Sequence, residues 1–411
     1  MIKHYLFLWI ALFQTYIGLN SISAQANNNA YFPPAHEWEK RSPEHLGLSN
    51  AAISKAIEIA QQAASSNPRS MEENHYKTFG KEPFGEAIGP FEDRGEQTGI
   101  ILYKGYKIAE WGNPYKCDMT HSVTKSFIST LTGLAVDRKM IRSVKDLVAP
   151  YIPPIELYQP NMLLKPVTQF NQPELLHLFQ TPHNQTITWE SMLQQTSDWE
   201  GVLWGKPDWA DRPDPDPKKW LNRPRQTPGT VYEYNDVRVN VLALALTSVF
   251  RTPLPQVLKT TVMDPIGASN TWRWTGYRNA WIVLDGQAVQ SVSGGGHWGG
   301  GMFIHAEDMA RFGLLTLRNG VWNQRVIVSA DWLKQAKTPS NANKSYGFMN
   351  FFLNTDRQFL PAAPATAYAH LGNGNNLIYV DPEHDLVVVL RWINQKGMND
   401  TIEAILNAFK K

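Results

Sequence analysis

The sequence predicts an α+β chain of two lobes, one sheet-bearing and drawn from both chain ends, the other helical and drawn from the middle. Three features predict it: a hairpin pattern from Gly99 to Trp111, a second from Asn376 to Trp392, and between them a run of apolar helical patterns broken by a proline-crowded loop.

In chain order, Lys3 and His4 precede an uncharged run from Tyr5 to Leu19, and the small residues Ser21, Ser23, Ala24 and Ala26 follow. That order is a secretory signal peptide, so residues 1–24 are expected to be removed, by cleavage after Ala24, or after Ala26 in Ala24-Gln25-Ala26. No later segment is apolar enough to span a bilayer, which leaves a mature chain with no membrane span and an expected periplasmic or secreted location. Ser49 to Ser65 reads as an amphipathic helix with Ile53, Ile57 and Ala60 on one face and Ser49 as N-cap. Ile100 to Tyr103 and Lys107 to Trp111 read as strands joined at Lys104-Gly105.

The middle is expected to be mostly helical, because Ser122 to Arg138, Thr188 to Gln195, Val237 to Phe250 and Ala306 to Arg318 lack internal proline and carry apolar residues at helical spacing. Lys206 to Pro228 holds Pro207, Pro213, Pro215, Pro217, Pro224 and Pro228, so it reads as a long loop, a lid or a structural cap. Asn376 to Val380 and Leu386 to Trp392 form the closing hairpin, followed by a helix from Asp400 to Phe409.

Of 411 residues, 43% are apolar and 18% charged, enough apolar material for a large core and against disorder. Lys and Arg total 39 against 37 Asp and Glu, so the balance of +2 offers no attraction to nucleic acid or an anionic membrane; a small, roughly neutral substrate is expected. A monomer is the default expectation. The single cysteine, Cys117, excludes an intrachain disulfide and is expected to be buried and inert.

The chemistry centres on His121-Ser122-Val123-Thr124-Lys125-Ser126-Phe127. A spacing of three puts Ser122 and Lys125 on one helical face. A serine hydroxyl needs a base, and a lysine amine supplies one if its pKa falls from the usual ~10.4. A helix start adds unpaired amides that stabilise an oxyanion. Lys125 opens a helix whose next residues, Phe127, Ile128, Leu131 and Leu134, read as buried, so a lysine there needs a reason. Tyr234 stands in the turn before Val237 to Phe250, where a phenol can relay a proton. His370-Leu371-Gly372-Asn373 precedes the closing hairpin, and a glycine beside a strand admits a substrate close to the backbone.

Taken in order, Ser-x-x-Lys, Tyr234-Asn235-Asp236 and His370-Leu371-Gly372 resemble the motifs of the serine β-lactamase and penicillin-binding protein superfamily. The resemblance is to its class C branch, which also holds serine esterases, D-amino-acid peptidases and 6-aminohexanoate-dimer hydrolases. It runs from about Pro43 to the C-terminus and includes Ser293 to Gly301. It implies an antiparallel β-sheet flanked by helices with an all-helical lobe. The catalytic domain would be a single one over residues 25–411, its α/β lobe at about 41–121 and 290–411 and its helical lobe at about 122–289. By resemblance Ser122 is acylated, Lys125 and Tyr234 transfer protons, and the Ser122 and Asn373 amides form the oxyanion hole, beside His370, Gly372 and Asp236. The substrate would be a small ester or amide, with no cofactor and no metal. β-Lactamase, D-peptidase and 6-aminohexanoate-oligomer hydrolase activities are the alternatives, as is a non-catalytic cell-wall or ligand-binding module.

Two positions depart from that pattern. Asp236 stands for Asn, and its carboxylate would favour the Lys125 ammonium, so Tyr234 becomes the immediate base, or Asp236 is protonated or turned away. His370 stands for Lys, which removes a fixed cation above about pH 6.5 and tilts the expectation from β-lactams toward esters and uncharged amides.

Other signals are weaker. Gly294-x-Gly296-x-x-Gly299 lies too far before the helix at Ala306 to hold a dinucleotide, although His297 or Trp298 can line a pocket. There is no Gly-x-Ser-x-Gly elbow, and His177, His183, His297 and His305 lack zinc-site spacing. Trp199, Trp204, Trp209 and Trp220 can wall an acyl pocket, though core roles are expected for most. The acceptor pattern Asn184-Gln185-Thr186 carries little weight in a chain read as bacterial.

Overall fold

The computed structural model describes residues 30–160, 174–221 and 223–410. The expected signal peptide lies outside them. From Tyr31 onward the chain packs as one unit.

The first helix, α1 (Asn50–Gln62), starts where Ser49 accepts a hydrogen bond from the Ala52 amide. Strands β1 (Thr98–Tyr103) and β2 (Tyr106–Trp111) follow, turning at Lys104 and Gly105, both at positive φ. Then come β3 (Asp118–Met119) and α2 (Thr124–Asp137), which is buried from Thr124 to Ala135. The middle adds α3 (Trp189–Leu193), capped by Thr188, and α4 (Asp236–Phe250), capped by Asn235.

A long hairpin follows, β4 (Arg273–Leu284) and β5 (Gln287–Val292), then β6 (Gly301–Ile304) and α5 (Ala306–Leu317). The closing strands are β7 (Phe352–Leu353), β8 (Tyr368–Gly372), β9 (Asn376–Asp381) and β10 (Leu386–Arg391), before helix α6 (Gln395–Asn407). That helix begins ahead of the expected Asp400 because Asn394 accepts from the Gly397 amide at 2.8 Å and caps a turn that a glycine had disguised.

The main sheet is antiparallel, in the order β7-β8-β9-β10-β1-β2. The two chain ends meet inside it, with Thr98 opposite Arg391 and Tyr103 opposite Leu386. Both faces are buried, and side chains alternate between them. Ile100, Leu102, Ile378, Val380, Val387 and Val389 join Phe127, Leu131 and Phe312 in the larger core. Ile101, Leu377, Tyr379, Val388 and Leu390 join Ile53, Ala56, Ile402 and Ile405 in the smaller one.

A second sheet runs β3-β6-β4-β5. It corrects the helical reading of 122–289, since β4 and the start of β5 fall inside that span. The pattern was hard to see because β4 alternates poorly, exposing Arg278 and Asn279 in mid-strand, and because its register with β5 shifts between Gly276 and Trp281. The Asp285-Gly286 turn, with both residues at positive φ, is the hairpin signal that marks it.

The proline-crowded loop is internally tied. Val202–Leu203 pairs with Lys206–Pro207, a short helix spans Lys218–Leu221, and Trp209 stacks on Trp220 at 4.9 Å. Arg225 bonds Asp208 at 2.6 Å and Arg238 of α4 bonds Asp198 at 2.7 Å, which fixes the loop and its neighbours to the helical half. Trp199 and Trp204 are core residues. Cys117 is half-buried, and burial pushes its thiol up to about 11, which keeps it protonated.

Candidate active site

Ser122 lies at a junction that the backbone enters under strain. After β3, Thr120 donates to the Met302 carbonyl at 3.0 Å, His121 takes a left-handed φ of 49°, and a 3₁₀ turn, His121–Val123, runs into α2. The result leaves Ser122 partly exposed between buried neighbours. Lys125 is fully buried and donates to Ser122 Oγ at 2.9 Å. Its Nζ also sits 2.6 Å from Asp236 Oδ1 and 5.1 Å from the centre of the Tyr234 ring. The Asn235 cap brings both residues in, Tyr234 just before it and Asp236 as the first residue of α4.

The end of β8 is pressed against this turn. A Cβ on Gly372 would lie 2.2 Å from the Thr120 carbonyl oxygen and 3.1 Å from the Ser122 amide nitrogen, so only glycine fits. Asn373 follows in a turn held by its neighbours. Asn376 donates to the Asn373 carbonyl at 2.7 Å and accepts from Arg391 at 2.9 Å, and Arg391 pairs with Asp118 of β3 at 2.5 Å. Thus one side-chain relay links the turn carrying Asn373 to the strand that delivers Ser122.

The glycine-rich stretch packs on the other side. Gly295, at φ 120°, has room for no side chain, because a Cβ would lie 2.4 Å from the His121 carbonyl. The stretch carries His297, fully buried, with Nε2 2.9 Å from Glu82 Oε2 and Nδ1 3.0 Å from Asp211 Oδ1 and 3.7 Å from Asp236 Oδ2. Asp211 accepts from the Asp236 amide and pairs with Arg212 at 2.5 Å. The Arg212 guanidinium lies 5.0 Å from the Tyr234 ring centre.

A family model described as β-lactamase matches residues 119–408, the span that runs from the approach to Ser122 through the last helix. The chain belongs to the β-lactamase family. Its fold is similar to that of several solved structures. A penicillin-binding protein homologue from Caulobacter crescentus is 14% identical, with TM-score 0.54 over 88% of this chain and 99% of that one. EstCE1, a hydrolase with promiscuous acyltransferase activity, is 15% identical, with TM-score 0.52 over the same shares. SurE, solved with D-Leu, is 12% identical, with TM-score 0.52 over 88% of this chain and 77% of that one. No curated protein matches.

Several charged residues beside the Ser-x-x-Lys pair of this β-lactamase-family chain escaped the sequence reading. Glu82, Asp211 and Arg212 lie in irregular segments where no periodicity marks them, and His297 stood out only as a lining residue. The alternative in which Asp236 turns away from Lys125 is excluded by their 2.6 Å separation. Burial opposes the Lys125 ammonium, but Asp236 and Tyr234 outweigh it and raise the Lys125 pKa above its ordinary value. Burial likewise raises the Tyr234 phenol, against the pull of Lys125 and Arg212. Both groups therefore hold their protons at rest. Asp211, Asp236 and His297 offer ligand atoms within 4.8 Å of one another, as a metal site would. Lys125 and Arg212 pair with the two carboxylates, and His297 stands between them and Glu82, so the set is a network of opposed charges.

His370 is placed differently from the expectation of a residue that meets substrate. It is fully buried among Phe312, Phe351 and Tyr368, and neither ring nitrogen has a hydrogen-bond partner among the described residues. Burial pushes it down to about 3, so it is neutral at every working pH. Its folded pKa lies below the ordinary ~6.5, so the unfolded chain takes up the proton first and stability drops as pH falls below that value. His370→Phe should keep acylation intact and gain about 2 kcal/mol more at pH 5 than at pH 8. Urea unfolding at the two pH values checks this, and a large loss of acylation would return His370 to the site.

Proposed function

We propose that the chain is an exported serine hydrolase that cleaves esters or small amides through an acyl-enzyme on Ser122. The observation that carries this is the hydrogen bond at 2.9 Å between a partly exposed serine and a fully buried lysine. In acylation, Lys125 in its neutral form takes the Ser122 proton as Oγ bonds to the carbonyl carbon. The backbone amides of Ser122 and Asn373 hold the oxyanion. The proton then passes through Tyr234 to the leaving oxygen or nitrogen, and the carbonyl re-forms. Water repeats the sequence in reverse and frees the acid.

The missing cation sets the substrate class. A buried, neutral His370 offers nothing to a substrate carboxylate, and Arg212 is engaged by Asp211. A simple uncharged ester should therefore exceed an ordinary penicillin in kcat/KM by about 10- to 100-fold, the worth of one charged hydrogen bond. Equal turnover would overturn this preference. Expression in a bacterial host, with intact mass read on the periplasmic fraction, tests export and cleavage after Ala24 or Ala26 together.

A second reading, a binding module without turnover, draws on the Lys125–Asp236 pair, which holds the base protonated. A fluorophosphonate probe separates the two, since only an activated serine gains mass.

A further inference from the structure

The ring of His297 is wedged between carboxylates. One nitrogen faces Glu82 at 2.9 Å and the other faces Asp211 at 3.0 Å and Asp236 at 3.7 Å. The Glu82 contact is an aligned hydrogen bond and the Asp211 contact a charge contact. A neutral imidazole has one N–H and one lone pair, so at these distances one nitrogen would set a lone pair against a carboxylate oxygen; only the imidazolium presents positive charge on both sides. Asp211 and Glu82 outweigh the cost of burial and raise His297 to about 9, in the same direction. The buried charges then alternate along the row Lys125, Asp236, His297, Asp211, Arg212.

We propose that His297 is a positioning residue for the Ser122 chemistry: as a buried cation on the far side of Asp236, it draws that carboxylate's charge away from Lys125 and so enlarges, for as long as the imidazolium keeps its proton, the fraction of Lys125 that is neutral and can take the Ser122 proton. This rests on the acyl-enzyme reading. It also gives the Asp236 departure a role, because an unopposed Asp236 would hold the Lys125 proton more tightly. The other ionisable groups around the row are fixed in sense. Arg212 lies 5.5 Å from the Phe79 ring centre, which packs on His297, and 3.8 Å from Asp236, so it acts with His297. Lys206 lies 5.1 Å from the ring centre of Trp298. His75, in helix Met71–Lys77, is buried and pushed below its ordinary value by that burial, so it adds no charge. Tyr234, its ring centre 5.1 Å from Lys125 Nζ, is raised by burial and keeps its proton.

The test follows the rate of Ser122 labelling by a fluorophosphonate across pH, read by intact mass. The neutral lysine is the active form, so a higher Lys125 pKa moves the acidic limb to higher pH. Below about pH 9, where the imidazolium persists, His297→Gln should lower the labelling rate about tenfold at each pH, an upward shift of the limb by about one unit that vanishes above pH 9. Glu82→Gln, at a side chain only partly buried, removes an anion that holds the His297 proton, so the flattening of the pH profile where the imidazolium is lost should move to lower pH; this guards against a His297 variant that does not fold. Asp236→Asn should move the limb down, and adding His297→Gln to it should move it no further. An unchanged rate below about pH 9 in His297→Gln together with an unmoved profile in Glu82→Gln, or an equal loss with and without Asp236, overturns the inference. A wild-type protein that takes no label at any pH fails the acyl-enzyme reading instead.

Discussion

Ser122→Ala is expected to abolish the covalent adduct and to lower ester turnover by about 10⁴-fold or more, because it removes the partly exposed hydroxyl that Lys125 contacts at 2.9 Å. The substitution removes one oxygen from a partly exposed position, so stability should stay within about 0.5 kcal/mol of wild type. Intact mass after a fluorophosphonate, with Ser122→Ala alongside, reads the result without presuming a substrate. A single adduct present in both proteins would place the nucleophile elsewhere.

Lys125→Met should act on catalysis and folding together. Without the amine, labelling of Ser122 should slow by about 10²- to 10⁴-fold. The same change leaves Asp236 buried with one of its cations gone, a loss of about 3–5 kcal/mol in unfolding free energy. The two effects can be pulled apart. Lys125→Met with Asp236→Asn removes both charges and should recover most of the stability while labelling stays slow. If the pair recovered labelling as well, Lys125 would be a structural cation and the proton acceptor would have to be sought at Tyr234.

What could be read from the sequence was what repeats. The apolar strands of β1, β9 and β10, and the unbroken apolar run of α2 around Lys125, declare themselves because burial on two faces demands a continuous pattern. Ser122, Lys125 and Tyr234 were legible because each sits at a helix start, where spacing and capping leave a signature. The charge row was not, because Glu82, Asp211 and Arg212 meet only through the folded loops. A histidine in a glycine-rich stretch looks alike whether it lines a pocket or is clamped between carboxylates. His370 shows the opposite failure: its motif position suggested contact with substrate, and three aromatic rings around it made it part of the core. Strand β4 escaped because two exposed polar residues break its alternation.

The relay from Asn373 through Asn376 and Arg391 to Asp118 also orders events during synthesis. Ser122, Lys125 and Tyr234 leave the ribosome long before Arg391, which sits on the last strand and pairs opposite Thr98 on the first. Closing a contact across so much chain is entropically slow, and it cannot begin until that strand has been made. A nascent chain therefore carries its nucleophile and base without the clamp that brings the Asn373 turn beside them, and hydrolytic competence should arrive late, with the final strand.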